Sequence, residues 1–288
     1  MVQIYEYWTA KKVDNKVPVD ASKLKSRSVV VTGGSSGLGA GYVQGFLDAG
    51  AYVTNLDLKP NQAHEGNPNY QYCHADMTNW DQQLQGFKAA FANSPSKSID
   101  IVVANAGIAI HDDLFQLDDA EEPTKPELKI IQVNTIGVAY TVKLARHYFN
   151  KGDQSRDKVL ILKASLAGYL DLPGATQYNA SKYSVRGMLC NLRKSDLARC
   201  NLLAPWAIPT PIIPDEVKPI MEANMKSRGS DWAHLEDAVK ACLRLAADDS
   251  INGRALGIVP RYVDKEGYID VALDDLDRDD LKWMYLKG

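Results

Sequence analysis

In the run Tyr178-Asn179-Ala180-Ser181-Lys182, a phenol and an ammonium group stand four residues apart, which puts both on one face of a helix. A free tyrosine titrates near 10, roughly three units too high for efficient proton transfer at neutral pH. A fixed cation beside it favours the phenolate and lowers that value. The pair therefore has the makings of a general base. Taken alone, such a pair is usually just a solvated helix face.

A second motif lies upstream. The run 29–31 is Val-Val-Val, the stretch 32–39 reads Thr-Gly-Gly-Ser-Ser-Gly-Leu-Gly, and apolar residues at helical spacing follow. Strand, glycine turn and helix is the order predicted. Glycine suits such a turn because a side chain would hold the backbone away from a pyrophosphate, which a helix N-terminus attracts. Standing alone, it would read as an ordinary glycine-rich turn. A second strand, 52–57, ends in Asp57, where a dinucleotide fold places the acceptor for ribose hydroxyls. Asp57 would repel a ribose phosphate, and Ser36 rather than a basic residue precedes Gly37, so NAD is expected over NADP. Lys59 weighs the other way.

With these residues in place, the chain resembles the short-chain dehydrogenase/reductase family, classical type, from about Ser28 to Gly257. Thr32 to Gly39 is similar to its TGxxxGxG turn, which implies that Gly33, Ser35, Ser36, Gly37, Leu38 and Gly39 bind the cofactor. Asn105-Ala106-Gly107 resembles the motif that follows the family's fourth strand, and Asp76-Met77 falls where members contact adenine. The resemblance makes Asn134, Ser165, Tyr178 and Lys182 the catalytic set, with Ser165 thirteen residues before Tyr178. It implies that Ser165 holds the substrate oxygen, that Lys182 binds the nicotinamide ribose, and that Asn134 bends its helix and holds a water linking Lys182 to solvent. Pro205, Ile208 and Thr210 would border the carboxamide. Trp206 stands where most members have glycine, a variant similar to fungal members near the hydroxyprostaglandin and hydroxyaverantin dehydrogenases.

The elements that must position these groups alternate as a doubly wound α/β sheet requires. A Rossmann-type parallel sheet of about seven strands in a single domain is expected. Strands are placed near 28–32, 51–56, 70–73, 99–104, 158–164, 200–204 and 255–259, and helices near 37–49, 79–92, 125–149, 177–197 and 234–247. Residues 1–24 form an arm before the domain at 25–263. Within that domain, 205–232 reads as a lid over the substrate, and 264–288 is an acidic tail that would dock on a neighbouring subunit or stay solvated. The segment 197–203 is shorter than in typical members. The helices near 125–149 and 177–197 are expected to pair between copies as a homodimer or homotetramer, with Ala180, Ser184 and Gly187 leaving a face for close approach.

At 288 residues, 45% of them hydrophobic, the chain can bury a sizeable core. The net charge of -3, with no long basic run, speaks against a nucleic-acid partner. The four cysteines have no paired spacing and the five histidines no ligand spacing, which fits reduced thiols and no metal. Without a secretory signal or an apolar run of membrane length, a cytoplasmic location and no membrane partner are expected. Leu166, Tyr169, Trp206 and Ile212 are expected to line a pocket for a hydrophobic small-molecule alcohol or ketone, though each could equally be core. An NADPH-dependent ketoreductase and a catalytically idle dinucleotide-binding module remain as alternatives; Tyr178, Lys182 and Ser165, all present, argue against the latter.

Overall fold

A computed structural model describes residues 10–110, 112, 114, 115, 117 and 121–273. Its strands are β1 (Ser28–Thr32), β2 (Tyr52–Asp57), β3 (Tyr70–His74), β4 (Ile101–Ala104), β5 (Val159–Lys163), β6 (Arg199–Pro205), β7 (Ala255–Ile258) and β8 (Tyr268–Asp270). They form one sheet in the order β3-β2-β1-β4-β5-β6-β7-β8. The pairings from β3 through β7 are parallel, and β8 runs antiparallel to β7. Every residue of β1, β4, β5, β6 and β7 is buried, as expected of strands covered by helices on both faces.

Helices α1 (Gly37–Asp48) and α7 (Leu235–Ala247) cover one face, where Val29, Val31, Phe46 and Leu245 share a core. Helices α2 (Trp80–Asn93), α4 (Val138–Lys151) and α5 (Thr176–Leu192) cover the other, around Val30, Phe87, Leu144 and Val185. A short α3 (Lys129–Ile131) passes into α4 through a π-turn at Gln132–Gly137. The strand order reverses between β1 and β4, so a crevice opens beyond the carboxyl ends of these strands, the place where such sheets bind ligands.

Three elements differ from the sequence expectation. An eighth strand, only three residues long, falls at the start of the expected tail; it is too short to leave an alternation signal. The segment 205–232 contains α6 (Lys218–Ser227), with a proline in its first turn, where the missing N–H leaves no intrahelical bond unmade. Helix α5 ends at Leu192 rather than 197, so the short connection to β6 is made by shortening the helix.

The edge strand is tied to the arm. Arg254 is buried and holds Asp270 through two bonds of 2.8 and 2.7 Å. Asp270 also accepts from the Val13 amide at 2.8 Å, and Asn15 donates to the Tyr268 carbonyl at 2.6 Å. Residues 1–9 and 274–288, with the rest of the expected tail, lie outside the described residues.

At the opposite end of the sheet from the crevice, Asp100 gathers the starts of β1, β4 and β5. It accepts from the Ser28 amide at 3.0 Å, from Arg156 at 2.8 and 2.7 Å, and from Lys158 at 3.1 Å. Burial pushes its carboxyl up, but Arg156, the Ser28 amide, Arg27 and Lys158 outweigh burial and hold it at about 2. A depressed carboxylate stabilises the fold above its unfolded pKa and loses that contribution as pH falls through the folded value. Wild-type protein should therefore lose about 2 kcal/mol from this group between pH 4 and pH 2. Asp100→Asn should cost about 3 kcal/mol at pH 7 and abolish that part of the acid loss, as urea unfolding across this range would measure.

Candidate active site

The crevice begins at the turn between β1 and α1. Gly33 adopts φ +66°, a left-handed conformation open to glycine. A Cβ on Gly39 would lie 1.9 Å from the Gly33 carbonyl oxygen, so the helix can approach the turn only without a side chain. Asn55 clamps the turn by accepting from the Gly34 amide at 2.9 Å and donating to the Ser35 hydroxyl at 2.8 Å. Ser36 caps α1 without a side-chain hydrogen bond, so its side chain leaves the first-turn N–H groups unclaimed.

Beside the turn, Asn105 donates to the Thr32 and Gly33 carbonyls at 2.9 and 3.0 Å, while its Oδ1 is buried with no hydrogen-bond partner. A turn with no room for a Cβ at Gly33, Gly34 or Gly39, an uncapped helix start and an orphaned buried acceptor suit the phosphates and polar groups of a nicotinamide dinucleotide. Thr210 reaches over from the loop after β6 to within 3.3 Å of where a Cβ on Gly37 would stand.

Asp57 stands at the end of β2 beside this cradle. One of its oxygens accepts from the Ser35 amide at 2.9 Å and the other from the Leu58 amide at 2.7 Å. A carboxylate has about four acceptor positions, so capacity for ribose hydroxyls remains. Asp76 accepts from the Thr78 amide and hydroxyl, both at 2.8 Å. Met77 is buried in the core, which leaves its backbone rather than its side chain to meet a ligand. Ser36 is exposed and Leu38 half-buried.

At the other end of the crevice, β5, α5 and the π-turn meet. Ser165 follows β5, donates to the Pro205 carbonyl at 3.2 Å and accepts from the Ala167 amide at 3.1 Å. Tyr178 and Lys182 lie in the first two turns of α5, with the Lys182 Nζ 5.3 Å from the phenol ring centre. Asn134 is fully buried inside the π-turn, accepts from the Ile108 amide at 2.8 Å and donates to the Ile108 carbonyl and the Ser181 hydroxyl at 2.9 and 3.2 Å. A Cβ on Gly107 would sit 3.0 Å from the Asn134 Oδ1 and 3.4 Å from the Lys182 Nζ. The structure thus brings Ser165, Tyr178, Lys182, Asn134 and Gly107 to one corner. Asn134 sits in a π-turn, a feature frequent at functional sites.

The electrostatics of this corner correct the expectation that Lys182 lowers the Tyr178 phenol. Burial raises it above 10, opposed by a hydrogen bond to Ser165. Lys182 is itself driven well below its ordinary value, first by burial and then by the positive charge of Lys163. The protein alone therefore disfavours both charged forms. Lys163, which sequence reasoning passed over, is the buried last residue of β5. Its signal was a lysine ending an otherwise apolar strand two residues before Ser165.

The expected substrate wall is only partly assembled at the crevice. Leu166 and Tyr169 pack against the core on the α5 side, and Arg186 stacks on the Tyr169 ring at 4.2 Å. Ile212 is half-buried, while Ile208 and Thr210 are buried with Pro205. The Trp206 indole packs against the α7-side core and donates to the Asp231 carbonyl at 3.2 Å. The residue is half-buried, and its indole N–H is held by the 205–232 segment.

A family model described as short chain dehydrogenase matches residues 27–219. The 5'-hydroxyaverantin dehydrogenase of Dothistroma septosporum is 38% identical over 288 residues, spanning 89% of this chain and 90% of the relative. The NADP-dependent dehydrogenase M3 of Phoma sp. is 30% identical, over 83% of this chain and 76% of that protein. Among solved structures, ligand-free aldohexose dehydrogenase from Thermoplasma acidophilum aligns with a TM-score of 0.70 at 25% identity, covering 82% of this chain and 94% of that one.

Gly39→Ala forces a backbone collision that no rotamer relieves, whereas a Cβ on Gly187 would meet nothing within 4 Å. Gly39→Ala is expected to cost roughly 2–4 kcal/mol and to abolish nucleotide binding, with Gly187→Ala keeping nucleotide affinity near wild type. Thermal melting and nucleotide fluorescence titration of the two variants check this contrast.

Proposed function

The chain belongs to the short-chain dehydrogenase family, and on that premise we propose that it oxidises a bulky, apolar secondary alcohol to its ketone with NAD, in secondary metabolism. The observation that carries the reading is the meeting of Ser165, Tyr178 and Lys182 at the end of a crevice whose other end is a glycine turn with no room for a Cβ at Gly33 or Gly39. A bound nicotinamide dinucleotide supplies the hydride acceptor. The chain's own groups do the rest. Ser165 holds the substrate oxygen with its hydroxyl, and Tyr178 takes the hydroxyl proton on its phenolate oxygen. Lys182 stabilises that phenolate once a ligand brings further polar groups into the corner, and Asn134 fixes the π-turn that backs Lys182. The cofactor's pyrophosphate is assigned to the 33–39 turn and its adenine to Asp76 and Met77, with Asn105, Ala106 and Gly107 along its path. Pro205, Ile208 and Thr210 border its carboxamide.

Leu166, Tyr169 and Ile212, with the exposed Leu170 and Leu172, offer an apolar surface suited to a ring-containing alcohol. The name of the Dothistroma relative, a 5'-hydroxyaverantin dehydrogenase, supports a hydroxylated substrate. The name of the Phoma relative supports a second reading, an NADP-dependent enzyme. Asp57 supports NAD, because its carboxylate would confront a ribose phosphate, while the exposed Lys59 weighs towards NADP. For assembly we take a homodimer or homotetramer through α4 and α5, where Ala180 is exposed and Gly187 faces open space. No helix among the described residues is long and apolar enough to cross a membrane, and the cytoplasm remains the proposed location.

Activity with NAD against a panel of hydrophobic secondary alcohols tests the reading. Tyr178→Phe should lower turnover at least roughly a hundredfold while nucleotide affinity stays near normal. A variant keeping more than about a tenth of the turnover would show that another group takes the proton. In equilibrium titrations NAD should bind at least about tenfold more tightly than NADP, and Asp57→Ala should narrow the gap. Equal affinities in the unaltered protein would decide against Asp57 as the selector.

A further inference from the structure

Among the described residues, Lys163 is the one buried cation at the catalytic corner to which the proposed reaction gives no part. It is the last residue of β5, paired in register with Leu203 of β6, and only 9% of its surface is exposed. Among the described residues no carboxylate and no hydrogen-bond acceptor meets its ammonium, and burial alone lowers it to about 8. Burying an ammonium without a partner is costly, and an apolar side chain of the same length would serve the core better. Stability therefore gives no reason for a lysine here.

Its place in the sheet gives one. The crevice runs from Asp57 at the end of β2, past the turn after β1 and Asn105 to Gly107 after β4, to Ser165 after β5. The nicotinamide end of a dinucleotide held by the 33–39 turn thus arrives at the end of β5. Alternation along β5 puts Lys163 in line with Val159 and Ile161, on the α1 and α7 side, while Lys182 comes from α5 on the other side. The two ammonium groups still feel each other's charge. They therefore approach the same region from opposite sides of the sheet.

Resting on the dehydrogenase reading, we propose that Lys163 is a specificity residue for the charge of the nicotinamide: it makes the site favour the uncharged, reduced ring over the oxidised cation. Lys163 either keeps its proton and opposes the oxidised ring's positive charge, or gives the proton up to solvent as that ring binds. Both responses weaken NAD+ relative to NADH. The bound equilibrium is thereby tilted towards ketone and reduced cofactor, the direction of alcohol oxidation. Lys163 transfers nothing to the substrate.

The test is equilibrium binding, measured by fluorescence titration with NAD+ and NADH, and with NADP+ and NADPH in parallel. In wild-type protein the reduced form should bind at least about tenfold more tightly, the scale a unit charge exerts over several ångströms in a protein interior. Lys163→Met should shrink that ratio at least about fivefold, chiefly by tightening the oxidised form, with a melting temperature equal to or above wild type. Lys163→Gln should shrink it likewise and serves if the methionine variant folds poorly. A ratio unchanged in both variants would overturn the proposal, as would a wild-type protein that binds the oxidised form as tightly as the reduced. Binding of none of the four nucleotides would instead overturn the dehydrogenase reading on which it rests.

Discussion

Exclusion of water from the corner where β5, α5 and the π-turn meet sets the charges of every group that could do chemistry there. Lys182 and Asn134 are buried, the Tyr178 phenol is raised, and Lys182 is lowered by burial and by Lys163. In water a lysine four residues along a helix would barely affect a tyrosine. In a dry corner each charge matters more, whether it belongs to the protein or to a ligand. The rest of the fold can be understood as what closes this corner. The buried strands bring Ser165 beside Pro205, and the π-turn turns Asn134 inward to the Ile108 backbone.

The opposite end of the sheet solves a different problem with the same elements. Arg27, Arg156 and Lys158 converge on Asp100, so burial there is offset by pairing and the pKa of the carboxyl is held at about 2. At the crevice end the cations have no such partner among the described residues, and they respond by shifting towards their neutral forms. Paired charge marks the end that holds the strands together, and unpaired charge marks the end that meets ligands. The cradle of 33–39 shows a related economy, since its contacts with the helix require the absence of side chains.

Much of this was legible in the sequence because it rests on local patterns. The alternation of strand and helix segments gave seven strands to within about two residues, and the glycine turn was visible because a single added Cβ at Gly39 would strike backbone. What escaped depends on tertiary context. β8 exists because Arg254 and the arm hold Asp270 in place, contacts that span up to 257 residues. The Trp206 indole follows the Asp231 carbonyl, which only the folded 205–232 segment supplies. Helix spacing reports that Lys182 is near Tyr178 but not how far each is enclosed, and burial works against the charged form of both. Lys163 was missed for the same reason: a lysine ending a strand is unremarkable until its lack of a partner is seen.

The account's central claim is that burial, not Lys182, governs Tyr178 in the protein by itself, and that the base is formed only with the cofactor in place. The direct measurement is the ultraviolet absorbance of phenolate against pH, taken as the difference between wild type and Tyr178→Phe, with and without NAD+. The free protein should show Tyr178 titrating above 10, the direction burial imposes, and the complex should show it moved to lower pH. A Tyr178 that already titrates below 10 in the free protein would contradict the account.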